Sequence, residues 1–155
     1  MSVSNANIEI NQLNKDDLQL FVKVIQLFAD VFEMENFKIP SSSHLSNLLS
    51  KDDFMVFCAK DGESVIGGLT AYTLMQYYSV KPLAYIYDLA VDTSYQRRGI
   101  GKKLMASFNS YCMGKGYEEV FVQADKTDDY ALDFYRKTQP TEEEHVSHFY
   151  YLLNQ

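Results

Sequence analysis

Two sets of residues in this 155-residue chain have types and spacings suited to chemistry. The first is Gln96-Arg97-Arg98-Gly99-Ile100-Gly101, which sits between YIYDLAV (85–91), a run that reads as a strand, and KKLMASFNSYC (102–112), a run that reads as a helix. Glycines at a strand-to-helix turn let backbone N–H groups approach an anion closely. The helix that begins there adds unpaired amides and the positive end of its dipole. Gln96, Arg97 and Arg98 add side-chain donors and charge, so the chemistry expected is that of a phosphate cradle. It is not a P-loop, because the Lys-Ser/Thr ending is absent, which points away from nucleoside triphosphate hydrolysis, and it is not GxGxxG either. The second set is carboxylates: Asp88 in the strand, and Asp125, Asp128 and Asp129 in one short loop. Grouped carboxylates bind a small polycation. Asp129 has a competing use as the N-cap of the helix that follows. A general base needs a pKa nearer 7 than the ordinary ~4 of a carboxylate. Crowding raises one carboxylate but also holds a substrate amine protonated. That contest stays open, as does a water chain leading from Asp88 or a nearby Glu. The run Glu142-Glu143-Glu144 reads as a solvated turn.

Hydrophobic periodicity supplies the elements that must position these residues. Residues 7–13 alternate as a first strand. Asn14 is placed to cap a helix with Lys15, Asp16 and Asp17 in its first turn, and Leu18, Phe21, Val22, Ile25, Phe28 and Phe32 follow at helical spacing. Residues 41–43 cap a short second helix carrying Leu45, Leu48 and Leu49. Strands over 54–60 and 65–75 join through Asp61-Gly62 as a hairpin. Lys81-Pro82 interrupts the chain before the 85–91 strand. Ile100, Leu104, Phe108 and Cys112 line one helix face, and 114–116 ends that helix. A strand over 120–124, a short helix over 130–137 and an aromatic, strand-like tail over 145–153 complete the order βααβββαβαβ. This is a mixed α/β chain with one domain over 1–155 and no repeats or linkers.

Bulk properties exclude several function classes. The net charge of -7 at pH 7 argues against nucleic acid as the main partner and suits a cationic substrate. No apolar run approaches the ~18 residues of a membrane span, and the first ten residues lack the blocks of a signal peptide. Cys58 and Cys112 fall in core-like patterns, as expected of free thiols in a cytoplasmic protein. His44, His145 and His148 are scattered, so no metal site is expected.

Two separated motifs then meet in the expected order. QRRGIG, after a strand and before a long helix, resembles the pyrophosphate loop (Gln/Arg)-x-x-Gly-x-(Gly/Ala) of the GNAT acetyltransferase superfamily. Ala131-Leu132-Asp133-Phe134-Tyr135 is similar to the helix carrying that family's catalytic tyrosine. The resemblance implies the GNAT acyltransferase fold: a mostly antiparallel twisted sheet, flanked by helices, whose fourth and fifth strands splay apart. It implies acetyl-CoA as acyl donor, with its diphosphate on the amides of residues 97–101 and its pantetheine arm along Leu89, Ala90 and Val91. Within the superfamily, residues 85–91, 97–100 and 122–129 and the pair His148-Phe149 most resemble the type I aminoglycoside 3-N-acetyltransferases, which are commonly homodimeric. Two departures stand out: Lys137-Thr138-Gln139-Pro140 lacks the glycine usual after the tyrosine helix, and Pro82-Leu83-Ala84 lacks an acid before YIYD.

Amine acetylation needs a neutral amine, a donor for the acetyl oxygen and help for the leaving thiolate. The Leu89 backbone N–H is the candidate donor, and Tyr135 the candidate partner of the sulfur. A phenol at about 10 against a thiol at about 8.5 makes full proton transfer uphill by ~2 kcal/mol, so a hydrogen bond is the expected form of help. Asp88, Asp125, Asp128 and Asp129 are the expected contacts for a polycationic acceptor. An aminoglycoside leads. A polyamine or a peptide amine, or an acetyl-CoA-binding module without turnover, stands as the alternative. The tail, apolar on both faces, is expected to be covered by a second subunit.

Overall fold

The computed structural model describes Asn5 and residues 7–154. In chain order the elements are β1 (Ile8–Gln12), α1 (Leu18–Val31), α2 (Ser42–Leu49), β2 (Phe54–Asp61), β3 (Ser64–Leu74), β4 (Leu83–Val91), a 3-10 turn (Thr93–Tyr95), α3 (Ile100–Gly114), β5 (Glu119–Val122) and α4 (Asp129–Lys137). The five strands form one sheet in sequential order. The first three pairings are antiparallel; β4 and β5 run parallel, joined through α3 as a parallel pair requires. This is the mixed α/β architecture expected of the GNAT fold.

The sheet has a helix on each face because its central strands are apolar on both. Val56 and Cys58 of β2 and Ala90 of β4 join Phe21, Val24, Leu27 and Phe28 of α1 in one buried cluster. On the other face, Phe57 meets Phe108 of α3 edge-on at 5.3 Å between centroids. Leu104, Phe108 and Cys112 are fully buried there. Gly68 is what lets α1 lie close: a Cβ at that position would fall 2.6 Å from Val24 Cγ1. Both cysteines are free and buried, as expected. Burial pushes each thiol up to about 11, so neither is reactive at neutral pH.

Two features of β4 prepare the site. Its ladder with β5 covers only Leu83–Ile86 opposite Glu119–Val122, so the strands part and residues 87–91 have no β5 partner. This is the expected splay. The register with β3 also shifts: Ala71 faces Ile86 while Thr70 faces Asp88, leaving Tyr87 as the extra residue of a bulge.

Several expectations change. Asn14 is not the cap of α1. Its Oδ1 accepts from the Asp16 N–H and its own N–H donates to Asp17 Oδ2, both at 2.8 Å, so Asn14 builds a turn. Asp17 holds the N-cap position, and the two acids precede the helix because this turn consumes them. Ser41 does cap α2, accepting from the His44 N–H at 3.2 Å. β5 ends at Val122, whose ladder partner Ile86 is the last residue of β4 that pairs with it. No strand forms over 145–153, because β-propensity becomes a strand only when a ladder partner is present. No helix among the described residues is long and apolar enough to cross a membrane.

Candidate active site

The chain divides into two compact units, the first ending at Gln123 and the second beginning at Ala124. In the first unit, the route from β4 to α3 is fixed by local bonds. Asp92 accepts from the Ser94 N–H at 2.9 Å and sets the 3-10 turn. Tyr95 Oη donates to Asp61 Oδ2 at 2.7 Å. The Arg98 guanidinium lies over the Tyr95 ring, 4.7 Å from its centroid, so that cation is held beside the loop. Gln96 Nε2 donates to the Val91 carbonyl at 3.0 Å and ties the loop back to the end of β4. Arg97 and Gly99 both adopt left-handed backbone, with φ 65° and 77°. Gly99 is the N-cap of α3 and no side chain caps that end. The first turn carries no acid and instead holds exposed Lys102 and Lys103, the reverse of the usual arrangement. An uncapped N-terminus ringed by cations fits a diphosphate. Ile100 and Gly101 are buried, so they serve the loop through backbone and packing.

Asp88 is half-buried on β4, and burial raises its carboxyl above the ordinary carboxylate range. Leu89, Ala90 and Val91 continue the part of β4 beyond the last β5 pair. Two concavities of this unit, about 430 and 610 Å³, lie elsewhere: one beside α1 and the β2–β3 turn, the other beside Asn14 and Ser50. Neither is lined by Asp88 or residues 96–101. An anion-binding turn is lined by backbone amides and needs no enclosing side chains.

In the second unit, the acids are engaged locally. Asp125 Oδ1 accepts from the Thr127 N–H at 2.9 Å and its hydroxyl at 2.8 Å. Those bonds, the backbone one foremost, hold its carboxyl below the usual range, which makes it a poor base. Asp128, not Asp129, caps α4, accepting from the Ala131 N–H at 3.0 Å. Asp129 stands in the first turn, where a carboxylate favours the helix dipole. Tyr135 lies on α4 with its ring 5.0 Å from that of Phe134. The Glu142–Glu144 stretch is exposed, as expected, and Arg136 pairs with Glu143 there through two bonds of 2.8 and 2.9 Å. Gln139 adopts φ 59°, supplying the left-handed turn where the resembled pattern has glycine.

Residues 21–139 match the Acetyltransferase (GNAT) family. The chain belongs to that family. It is an acetyl-CoA-dependent N-acetyltransferase, which removes the reading as a binding module without turnover. Among solved structures, this acetyltransferase is similar to the aminoglycoside acetyltransferase meta-AAC0020 from an uncultured soil metagenomic sample, in complex with sisomicin. Identity is 59%, with 96% of this chain and 97% of that one covered and a TM-score of 0.94. The aminoglycoside acetyltransferase HMB0005, also from an uncultured soil metagenomic sample, is 30% identical over 95% of this chain and 99% of its own, with a TM-score of 0.88. AAC(6')-Iy, in complex with a bisubstrate analog, shares 20% identity over 96% of this chain and 100% of its own with a TM-score of 0.76, a likeness of fold alone. No curated protein matches.

Sequence reasoning missed three residues of the acetyltransferase's first unit: Tyr72, Tyr85 and Tyr87, whose rings meet beside Asp88. The signal for Tyr85 and Tyr87 was present in YIYD, where tyrosines alternate along a strand and precede an acid, whereas Tyr72 joins them only through the pairing of β3 with β4.

Proposed function

We propose that this acetyltransferase transfers an acetyl group from acetyl-CoA to an amine of an aminoglycoside, a reaction that confers antibiotic resistance. The observation that carries the reading is the 59% identity, across 96% of this chain, to an aminoglycoside acetyltransferase crystallised with sisomicin. The resemblance of residues 85–91 and 122–129 to the 3-N group points to the 3-amino group as the site of acetylation. The family match running from 21 to 139 crosses from one compact unit to the next, which supports a single acyltransferase domain. Free, buried cysteines accord with a cytoplasmic location.

Bound acetyl-CoA supplies an activated acyl group with a thiolate as its leaving group. The amides of Arg97 to Gly101, with Arg98 and Gln96 holding the turn, bind its diphosphate. Leu89, Ala90 and Val91 offer backbone to the pantetheine arm, and the Leu89 N–H donates to the acetyl oxygen. Asp88 holds the acceptor's ammonium group and takes its proton. Its raised pKa suits that task better than the lowered pKa of Asp125. Asp125, Asp128 and Asp129 add negative potential that attracts a polycation. Tyr135 donates a hydrogen bond to the departing sulfur.

A thiol-release assay with sisomicin, spermine and a neutral peptide amine tests the reading. Sisomicin turns over best, the product carries its acetyl group on the 3-amino nitrogen by NMR, and KM rises with added salt. Tyr135→Phe lowers kcat about 10- to 1000-fold, the range for losing one positioned donor. Preference for the uncharged amine, or a KM unchanged at about 0.5 M salt, overturns the polycation reading. A 6'-acetylated product overturns only the regiochemistry.

A further inference from the structure

The bulge in β4 has a consequence for the acceptor. Strand alternation alone would send Tyr87 and Asp88 to opposite faces of the sheet. Register places Tyr72 opposite Phe54 on one side and Tyr85 on the other, on the face that packs α1. Thr70 shares that face, and the bulge at Tyr87 puts Asp88 opposite Thr70. Asp88 therefore joins the tyrosines instead of turning away from them. Tyr87 meets Tyr72 at 5.8 Å and 86°, and Tyr85 at 6.0 Å and 73°. Two near-perpendicular contacts make a notch with a floor and a wall.

The notch is braced from behind. Phe121 stacks on Tyr85 at 4.8 Å and 6°. Phe54, itself buried, backs Tyr72 at 5.1 Å. Tyr85 Oη donates to Gln123 Oε1 at 3.2 Å. Tyr87, by contrast, is 61% exposed. Burial first, and then neighbouring Tyr87 and Asp88, raise Tyr72 and Tyr85 above the ordinary phenol range, so both stay protonated donors at neutral pH. Tyr87 thus presents most of its surface to solvent from a rigid aromatic base, with an acid alongside.

Resting on the functional reading above, we propose that Tyr72, Tyr85 and Tyr87 form the seat for one six-membered aminated ring of the acceptor, and that Tyr87 determines the preference for ring over chain amines. The apolar C–H face of such a ring lies on a tyrosine face, its hydroxyls meet the phenols, and one ammonium group reaches Asp88. A linear polyamine offers the ammonium group without the ring and gains nothing from the notch.

The test uses the full chain with Tyr87→Ala and Tyr87→Phe, each first checked for an unchanged Tm. Sisomicin binding is measured by calorimetry, and turnover with sisomicin and with spermine by thiol release. Tyr87→Ala weakens sisomicin binding and raises its KM about tenfold, while kcat and the spermine KM stay within about twofold. Tyr87→Phe stays within about threefold of wild type, because the ring face is kept. Sisomicin binding that is independent of Tyr87, or an equal loss with spermine, overturns the proposal even if sisomicin turns over well. Binding that depends on Tyr87 without any turnover overturns the functional reading and leaves the seat standing. Absence of sisomicin binding to the wild type overturns both.

Discussion

Gly99 shows how a single residue controls an anion site by conformation more than by space. A Cβ there would meet nothing within 4 Å, yet the backbone φ is 77°. A β-branched residue is strained in that region by roughly 1–2 kcal/mol. Gly99→Val is therefore expected to move the turn and withdraw its amides, lowering coenzyme A affinity at least tenfold in calorimetry while the fold persists. Asp88 carries a second residue-scale consequence. Burial raises its pKa in the folded chain, so the folded state holds the proton more tightly than the unfolded state does. Its stabilising contribution is full below the ordinary carboxylate pKa and is lost as pH rises through the raised folded value. Asp88→Asn keeps the shape without the charge. Urea unfolding of both proteins should then show the wild type losing stability relative to Asp88→Asn as pH rises from 3 to 7, with acetylation impaired in the variant. A constant difference across that range would mean that burial of the charge is not felt.

At the scale of elements, β4 is three things in succession. It pairs on both sides through Ile86, bulges at Tyr87, and then loses β5. Each change serves chemistry: the bulge turns Asp88 onto the tyrosine face, and the splay leaves Leu89, Ala90 and Val91 without a β5 partner. Such a strand is held from its other edge, by β3, and by the helices on either face. Gly68 sets how closely α1 approaches, and the missing Cβ would lie 2.6 Å from Val24 Cγ1. Gly68→Ala is expected to destabilise the chain by about 1–3 kcal/mol through overpacking, read as a lower urea midpoint with an unchanged slope. An alanine there that costs nothing would show that α1 shifts freely on the sheet.

The whole molecule presents two kinds of surface. A net charge of -7 leaves a field that attracts polycations and keeps copies apart. Against it stands the C-terminal stretch, where Phe149, Tyr151 and Leu153 are 80%, 83% and 82% exposed. An apolar run of that kind calls for a cover, and a second copy is the proposed one. Light scattering at micromolar concentration is expected to return the dimer mass, and Phe149→Asp with Tyr151→Asp to return the monomer. A monomeric wild type would remove the dimer and leave the stretch to another partner.

Much of this was legible in the order of residue types. Helical spacing in Leu18, Phe21 and Phe28, alternation in 7–13, and the glycine-arginine turn before Ile100 each act within a few residues, and periodicity reports such local physics. The family followed from two such motifs in sequence, and the phosphate cradle from backbone chemistry at one turn. Other features turned on which of several neighbouring bonds prevails, or on partners distant in the chain. Asp128 rather than Asp129 caps α4, and Asn14 turns the chain instead of capping α1, because competing bonds at neighbouring residues decided each case. Residues 145–153 have the composition of a strand and no ladder, since pairing is a property of two segments and propensity of one. The face on which Asp88 stands is the sharpest instance. Strict alternation from Tyr85 and Tyr87 points it away from them. Only the register against Thr70 and Ala71, one residue out of step, brings the acid and the tyrosines together.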